Sequence, residues 1–142
     1  MEDQHAGQGS AVTEPKPDDT FALYDLKVEV IAGDKPFVCS HKLGDTFYVI
    51  GENLIFPEGA QFSMYALASL LPFLPAKQRP LEANDWMLSD SIIACPDPNC
   101  GARFKITRTG KRVFSHGSCT VVPITPMSKE AANYGDTDRS AY

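Results

Sequence analysis

Three cysteines and one histidine are the residues of this chain whose types and spacing could do chemistry. They form two short pairs, Cys39-x-His41 and Cys95-x4-Cys100. Thiolate and imidazole are donors that zinc and iron accept, and a short pair lets one turn aim both donors at one point. Gly101 follows the second pair, as a tight ligand turn often requires. We therefore expect Cys39, His41, Cys95 and Cys100 to hold a metal ion, with zinc preferred over iron.

The same residues allow two other interpretations. Cysteine is often buried as a small apolar residue, which would leave the thiols unligated. His41 could belong to a purely structural turn, in which Gly44 supplies a positive φ and Asp45 hydrogen-bonds its own backbone. A reactive thiol at Cys39 or Cys95, activated by His41, would instead make the protein a small enzyme.

A second candidate cluster lies near the C-terminus, where His116 and Cys119 stand three positions apart. Cys119 could replace Cys100 or His41 in the proposed site, or it could pair with His116 as a nucleophile and its base. A nucleophilic cysteine needs a base within hydrogen-bond reach and a third group that orients it. Neighbours at this spacing seldom meet that condition, so a polar loop is the preferred interpretation.

Half of the cations of residues 21–127 fall within ten positions: Arg103, Lys105, Arg108, Lys111 and Arg112. Such a ribbon could contact phosphate or an acidic partner, but a solvated β-hairpin is the preferred interpretation. The chain contains no phosphate-binding loop, dinucleotide fingerprint, nucleophile elbow or zinc-protease motif. An enzyme is therefore not the first expectation.

The elements that must position these residues can be predicted from the periodicity. Residues 22–31 alternate apolar and polar side chains as a half-buried strand does, and 46–50 form a second strand after a turn. Residues 60–71 carry no charge and predict a buried helix that ends at Pro72. Residues 86–94 and 103–108 predict further strands, and Thr109-Gly110 predicts a hairpin turn into residues 111–114. The fold class is thus α+β, a small antiparallel sheet of about five short strands with one principal buried helix.

Composition bounds the organisation of the chain. Its 142 residues suffice for one domain, expected at residues 21–126 between disordered tails at 1–20 and 127–142 that lack large apolar groups. The net charge of −5 gives no general attraction to nucleic acid. The acidic N-terminus is not a secretory signal and no apolar stretch is long enough to span a membrane, so we expect a cytoplasmic protein with reduced thiols.

Several segments together resemble a known family. Tyr24 to Val30, the run Cys39-Ser40-His41-Lys42-Leu43-Gly44-Asp45, and Cys95-Pro96-Asp97-Pro98 followed by residues 104–108 are similar to a family of small conserved-hypothetical proteins found mostly in bacteria and archaea. Its pattern is a strand, a Cys…His-Lys-x-Gly-Asp turn, a central helix and a Cys-Pro-Asp-Pro turn before a final strand. The resemblance covers residues 24–108 and implies a fold more than a function.

These observations lead to three functional hypotheses. The first is a small metal-binding domain that acts as an accessory or binding module. The second is an interaction subunit without metal, which contacts a protein partner through the apolar helix predicted at residues 60–71. The third is the small enzyme with a reactive cysteine. Membrane and nucleic-acid partners are not expected.

Overall fold

The computed structural model describes residues 19–124 and divides the chain into two units. The larger unit is Phe21–Phe114. Of the second unit, the structure describes residues 19–20 and 115–124. The predicted disordered tails lie outside the described residues, except for residues 19 and 20. Each of the two units is described by itself.

The larger unit is built on a five-stranded antiparallel sheet, as the α+β prediction expects. The spatial order of the strands is β3-β2-β1-β5-β4. Their bounds are β1 Thr20–Ala32, β2 Thr46–Ile50, β3 Asn53–Ile55, β4 Ile92–Ala94 and β5 Ala102–Ser115. The two longest strands, β1 and β5, are therefore neighbours at the centre of the sheet.

β1 forms where the alternating pattern predicts a strand. Leu26, Val28 and Val30 are buried on one face, while Lys27 and Glu29 between them remain half-exposed. Side chains of a strand alternate between the two faces of the sheet, so this pattern fixes which face meets the core. β2 adds Phe47 and Val49 to the same core, paired in antiparallel register with β1.

The predicted hairpin at Thr109-Gly110 is wrong, because β5 runs through these residues without a turn. Ile106, before the expected turn, is buried, and Val113, after it, is exposed. The long partner strand β1 explains the difference. β1 and β5 are hydrogen-bonded neighbours, and Arg112 Nε donates to Asp25 Oδ1 of β1 at 2.8 Å, so pairing with β1 overrides the local turn signal.

Four short helices accompany the sheet: α1 Met64–Leu70, α2 Leu74–Gln78, α3 Trp86–Ser89 and α4 His116–Cys119. The single principal buried helix predicted at residues 60–71 is not confirmed. α1 starts after Ser63, whose Oγ accepts the Ala66 N–H, and it buries only Ala66 and Leu70. The outer face stays exposed because the short helix touches the core along one stripe.

The strand predicted at residues 86–94 is wrong in its first half, which forms α3. The Asp85 side chain accepts the N–H of Met87 and so starts the helix, and only Ile92–Ala94 joins the sheet as β4. Within residues 19–124, no helix is both long and apolar enough for a membrane span.

Candidate functional site

Two glycines bring the cysteine-bearing turns into contact. The N–H of Gly33 donates to the Gly101 carbonyl at 2.8 Å, and the N–H of Gly101 donates to the Pro36 carbonyl at 3.0 Å. A Cβ at Gly101 would lie 1.6 Å from the carbonyl oxygen of Lys35, and one at Gly33 would lie 2.4 Å from that of Gly101. The two backbones thus cross at a distance that only glycine allows.

This crossing places Cys39 against Cys100. Their sulfur atoms are 3.4 Å apart although the residues are 61 positions apart in the chain. Cys95 directly follows β4, its thiol is close enough to Cys100 for the two to raise or lower each other's acidity, and its N–H donates to the Ala102 carbonyl at 3.2 Å. The structure therefore brings together the three cysteines that the sequence nominates as ligands. Cys100 is buried, while Cys39 and Cys95 are half-buried.

Each of the three sulfurs faces a backbone N–H two residues further along the chain. The donors are the N–H groups of His41 for Cys39, Asp97 for Cys95 and Ala102 for Cys100. Cys100 receives two more N–H groups, from Val38 at 3.4 Å and from Cys39. A sulfur surrounded by N–H groups is stabilised as the thiolate, because hydrogen bonds to the charged form favour it.

The three thiols differ in acidity for this reason. Burial raises the pKa of Cys100, but the N–H groups of Ala102, Val38 and Cys39 outweigh burial and lower that pKa to about 6. Burial also raises the pKa of Cys39 and of Cys95, and the neighbouring Cys100 raises both further. Negative charge in the cluster is therefore concentrated on Cys100.

The fourth predicted ligand, His41, has protein partners at both ring nitrogens. Nε2 accepts the Ser63 N–H at 3.3 Å, and Nδ1 lies 3.7 Å from Asp45 Oδ2. The buried ring packs against Phe62 and Phe104, with centroids 4.4 and 5.5 Å away. Because Nε2 is an acceptor, the neutral ring carries its proton on Nδ1. Burial lowers the pKa of His41, against the opposing effect of Asp45.

The turn that follows His41 has the features of the structural interpretation. Gly44 has a φ of +87°, and Asp45 Oδ2 accepts the Lys42 N–H at 2.8 Å. The same carboxylate therefore braces both the turn and the imidazole. This turn holds the His41 ring in place against Phe62 and Phe104.

An open cleft gives access to one side of the cluster, because Cys95 is part of its wall. The cleft has a volume of about 480 Å³ and is lined mainly by apolar side chains, among them Phe73, Trp86, Ile93 and Pro96. A small molecule or ion could reach the sulfur of Cys95 by this route. The sequence alone gave no signal for the cleft, because α2 and α3 were not predicted.

The second cysteine–histidine cluster lies in the other unit and engages different partners. Cys119 is exposed and its sulfur lies 3.7 Å from Ser118 Oγ. The His116 Nε2 atom lies 2.6 Å from the Val122 carbonyl oxygen and donates to it. The imidazole is therefore bonded to the backbone rather than positioned as a base for the thiol.

The basic residues of β5 are engaged in holding the larger unit together. Arg112 pairs with Asp25, and the Arg108 guanidinium lies 4.0 Å from the ring centroid of Tyr24. Arg103 donates to backbone carbonyls at the start of β5. The preferred interpretation of a solvated hairpin is therefore wrong in its geometry, because the cations line a continuous strand and three of the arginines contact other residues of the protein.

Within residues 19–124, no group of three or more His, Cys, Asp or Glu side chains is already arranged to hold a metal ion. The thiol cluster therefore has the donor types of a metal site without its finished geometry. Sequence reasoning missed the Gly33–Gly101 crossing that assembles the cluster, and the only signal for it was the glycine directly after Cys100. No family model, curated protein or solved structure matches this chain, so the cluster has to be interpreted from its own chemistry.

Proposed function

We propose that this protein is a metal-binding accessory module that holds zinc through the thiolates of Cys39, Cys95 and Cys100. The observation that carries the proposal is the convergence of three sulfurs, each facing a backbone N–H group. Three thiolates around a divalent cation leave one net negative charge. The N–H groups would offset that charge and orient the sulfurs, as outer-shell hydrogen bonds do in metal sites.

The separation of the Cys39 and Cys100 sulfurs is close to that of two ligands in a tetrahedral zinc site. Zinc–sulfur bonds of about 2.3 Å place two ligand sulfurs about 3.8 Å apart. The Cys39 and Cys100 sulfurs are 3.4 Å apart, so an ion would have to part them slightly. Iron is the second choice, because thiolates also bind that metal.

His41 has a supporting role in this proposal. To act as the fourth ligand, the ring would have to give up its bond from Ser63 or its contact with Asp45. We assign the fourth position to water or to an external donor instead. The proposal includes no reaction, and it takes the cytoplasm as the compartment because thiols stay reduced there.

Metal content and cobalt substitution test the proposal. Protein purified under reducing conditions without added metal should contain close to one equivalent of zinc, and Co²⁺ should give a thiolate-to-cobalt charge-transfer band. Cys39→Ser, Cys95→Ser and Cys100→Ser should each weaken the band and the zinc affinity. Cys119→Ser is the matched control and should change neither, because its thiol is exposed in the other unit.

Two outcomes would contradict the proposal. One is less than about a tenth of an equivalent of zinc or iron together with no cobalt band. The other is a band that survives in all three serine variants. His41→Gln separates its two possible roles: the band should persist if the ring only supports the site, and its loss from a folded variant would show that the ring is a ligand.

A second candidate function is a subunit that binds a protein partner. The outer face of α1 favours it, because Met64 and Tyr65 are each 74% exposed and Leu71 is 46% exposed, with no charge between them. Apolar side chains that cluster on a surface often mark interaction sites. Light scattering that shows a compact monomer, unchanged by Tyr65→Ser, together with a pull-down that retrieves nothing would count against this function.

A further inference from the structure

Cys39 and Cys100 are already in van der Waals contact, which suggests chemistry between the two sulfurs themselves. Their sulfur atoms are 3.4 Å apart, and the two turns that carry them are joined by the backbone bonds of Gly101 to Gly33 and Pro36. Cys39 is half-buried and faces solvent in part, whereas Cys100 is only 2% exposed. Of these two sulfurs, that of Cys39 is therefore the one that an oxidant meets first.

We propose that Cys39 and Cys100 form a reversible intramolecular disulfide when a hydroperoxide oxidises the protein. The proposal rests on the contact between the two sulfurs, and it does not depend on metal binding. A disulfide bond is about 2.05 Å long, so the sulfurs must approach by roughly 1.3 Å. Both cysteines lie in turns outside the strands, where side-chain rotation can supply this movement.

The reaction takes two steps. The Cys39 sulfur gives up its proton and attacks one oxygen of hydrogen peroxide, the O–O bond breaks, and a sulfenic acid forms while the departing hydroxide takes up that proton as water. The Cys100 thiolate then attacks the Cys39 sulfur, the S–O bond breaks, and the departing hydroxide takes a proton from solvent to leave as water. Two thiols are oxidised by two electrons in total, and the peroxide is reduced to two molecules of water.

Cys95 is expected to remain a thiol. Its backbone is held in the β4–β5 pairing by the bond from its N–H to Ala102. Cys39 has the direct sulfur contact with Cys100, so its sulfenic acid would meet Cys100 at once. The disulfide would also close a loop of about sixty residues, which favours the folded state by restricting the unfolded chain.

Thiol counting and peptide mapping test the inference on the full chain. The metal-free, reduced protein is treated with one equivalent of hydrogen peroxide in the presence of a chelator. Thiols counted after denaturation should fall from four to two, and mass spectrometry should locate the disulfide between Cys39 and Cys100. Dithiothreitol should restore all thiols.

Matched variants sharpen the result. Cys119→Ser and Cys95→Ser should each still lose two thiols, whereas Cys39→Ser should not form the mapped bond. A main disulfide that contains Cys95 or Cys119, a bond between two chains, or overoxidation without a disulfide would overturn the inference. The wild-type mapping decides the matter even if a variant fails to fold.

A zinc-loaded sample separates this inference from the proposed function. If both hold, bound zinc should slow the oxidation, and the oxidation that does occur should release zinc. If zinc neither binds nor protects while the disulfide still forms, the metal proposal fails and the disulfide stands. If zinc binds but the metal-free protein forms no Cys39–Cys100 bond, the disulfide inference fails and the metal proposal stands.

Discussion

Gly101 shows how one residue can control the assembly of a distant cluster. It directly follows Cys100, and it crosses the backbone near Lys35 so closely that no side chain fits between them. The crossing fixes the separation of the two turns and with it the distance between the sulfurs. A residue that carries no chemistry of its own is thus required for the chemistry of its neighbours.

We expect Gly101→Ala to destabilise the larger unit by about 3 kcal/mol or more, because the added methyl group would overlap backbone atoms that cannot move aside. Chemical denaturation measures this loss, and reduced disulfide formation between Cys39 and Cys100 should accompany it. Gly117→Ala is the matched control, since a Cβ at Gly117 meets nothing within 4 Å. Equal stability of the two variants would show that the crossing is not tight.

At the scale of elements, a single side chain joins α2 to the segment around α3. The stem of Lys77 is buried, and its Nζ donates to the Met87 carbonyl at 2.6 Å and to the Asp90 carbonyl. Burial lowers the pKa of Lys77, with a contribution in the same direction from Arg108 and opposing ones from Asp90 and Asp85. The amine therefore links two short helices that bury little surface themselves.

Lys77→Met should lower the free energy of unfolding by about 1–3 kcal/mol, because it leaves two carbonyl groups without their donor while keeping most of the apolar stem. Urea denaturation measures the difference. Lys42→Met is the control, since Lys42 is exposed and bonds through its backbone N–H. A loss for Lys77→Met no larger than that of the control would mean that water replaces the lysine at no cost.

Elements that a local residue pattern specifies could be predicted from the sequence. Elements that depend on contacts with distant parts of the chain could not. The alternation in β1 identifies the strand, because every second residue meets the core. The continuity of β5 depends on its long neighbour β1, which the turn signal at Thr109-Gly110 does not register. α2 and α3 depend on contacts such as those of Lys77, so the sequence predicted no helix at α2 and a strand in place of α3.

At the scale of the whole molecule, the ligands of the candidate site could be predicted from the sequence, whereas the way in which they meet could not. Residue type alone nominates Cys39, Cys95 and Cys100 as ligands, and the structure brings them together. The three sulfurs come together because the backbones of two turns cross, and no local sequence pattern predicts that crossing. His41 was nominated by the same reasoning, but Ser63 and Asp45 engage its ring, and sequence spacing does not reveal such partners.

The stability of the metal-free, reduced protein should depend on pH in a defined window. The pKa of Cys100 is about 6 in the fold and 9.0 ordinarily, so the folded state binds fewer protons between these values. The resulting stability is fully present above pH 9.0 and is lost as pH falls through about 6. Urea denaturation across this window should show a slope that flattens in Cys100→Ser and persists in Cys119→Ser. An unchanged slope in Cys100→Ser would contradict the assignment.

The crossing of the two glycine-bearing turns also affects the order of events during synthesis. Cys39 leaves the ribosome 61 residues before Cys100, so its thiol stands alone while the intervening chain is made. A lone thiol binds a soft metal weakly and has no neighbour with which to close a bond. Cys39 therefore meets Cys100 only when β5 aligns beside β1, so both the metal site and the disulfide depend on completion of this long-range pairing.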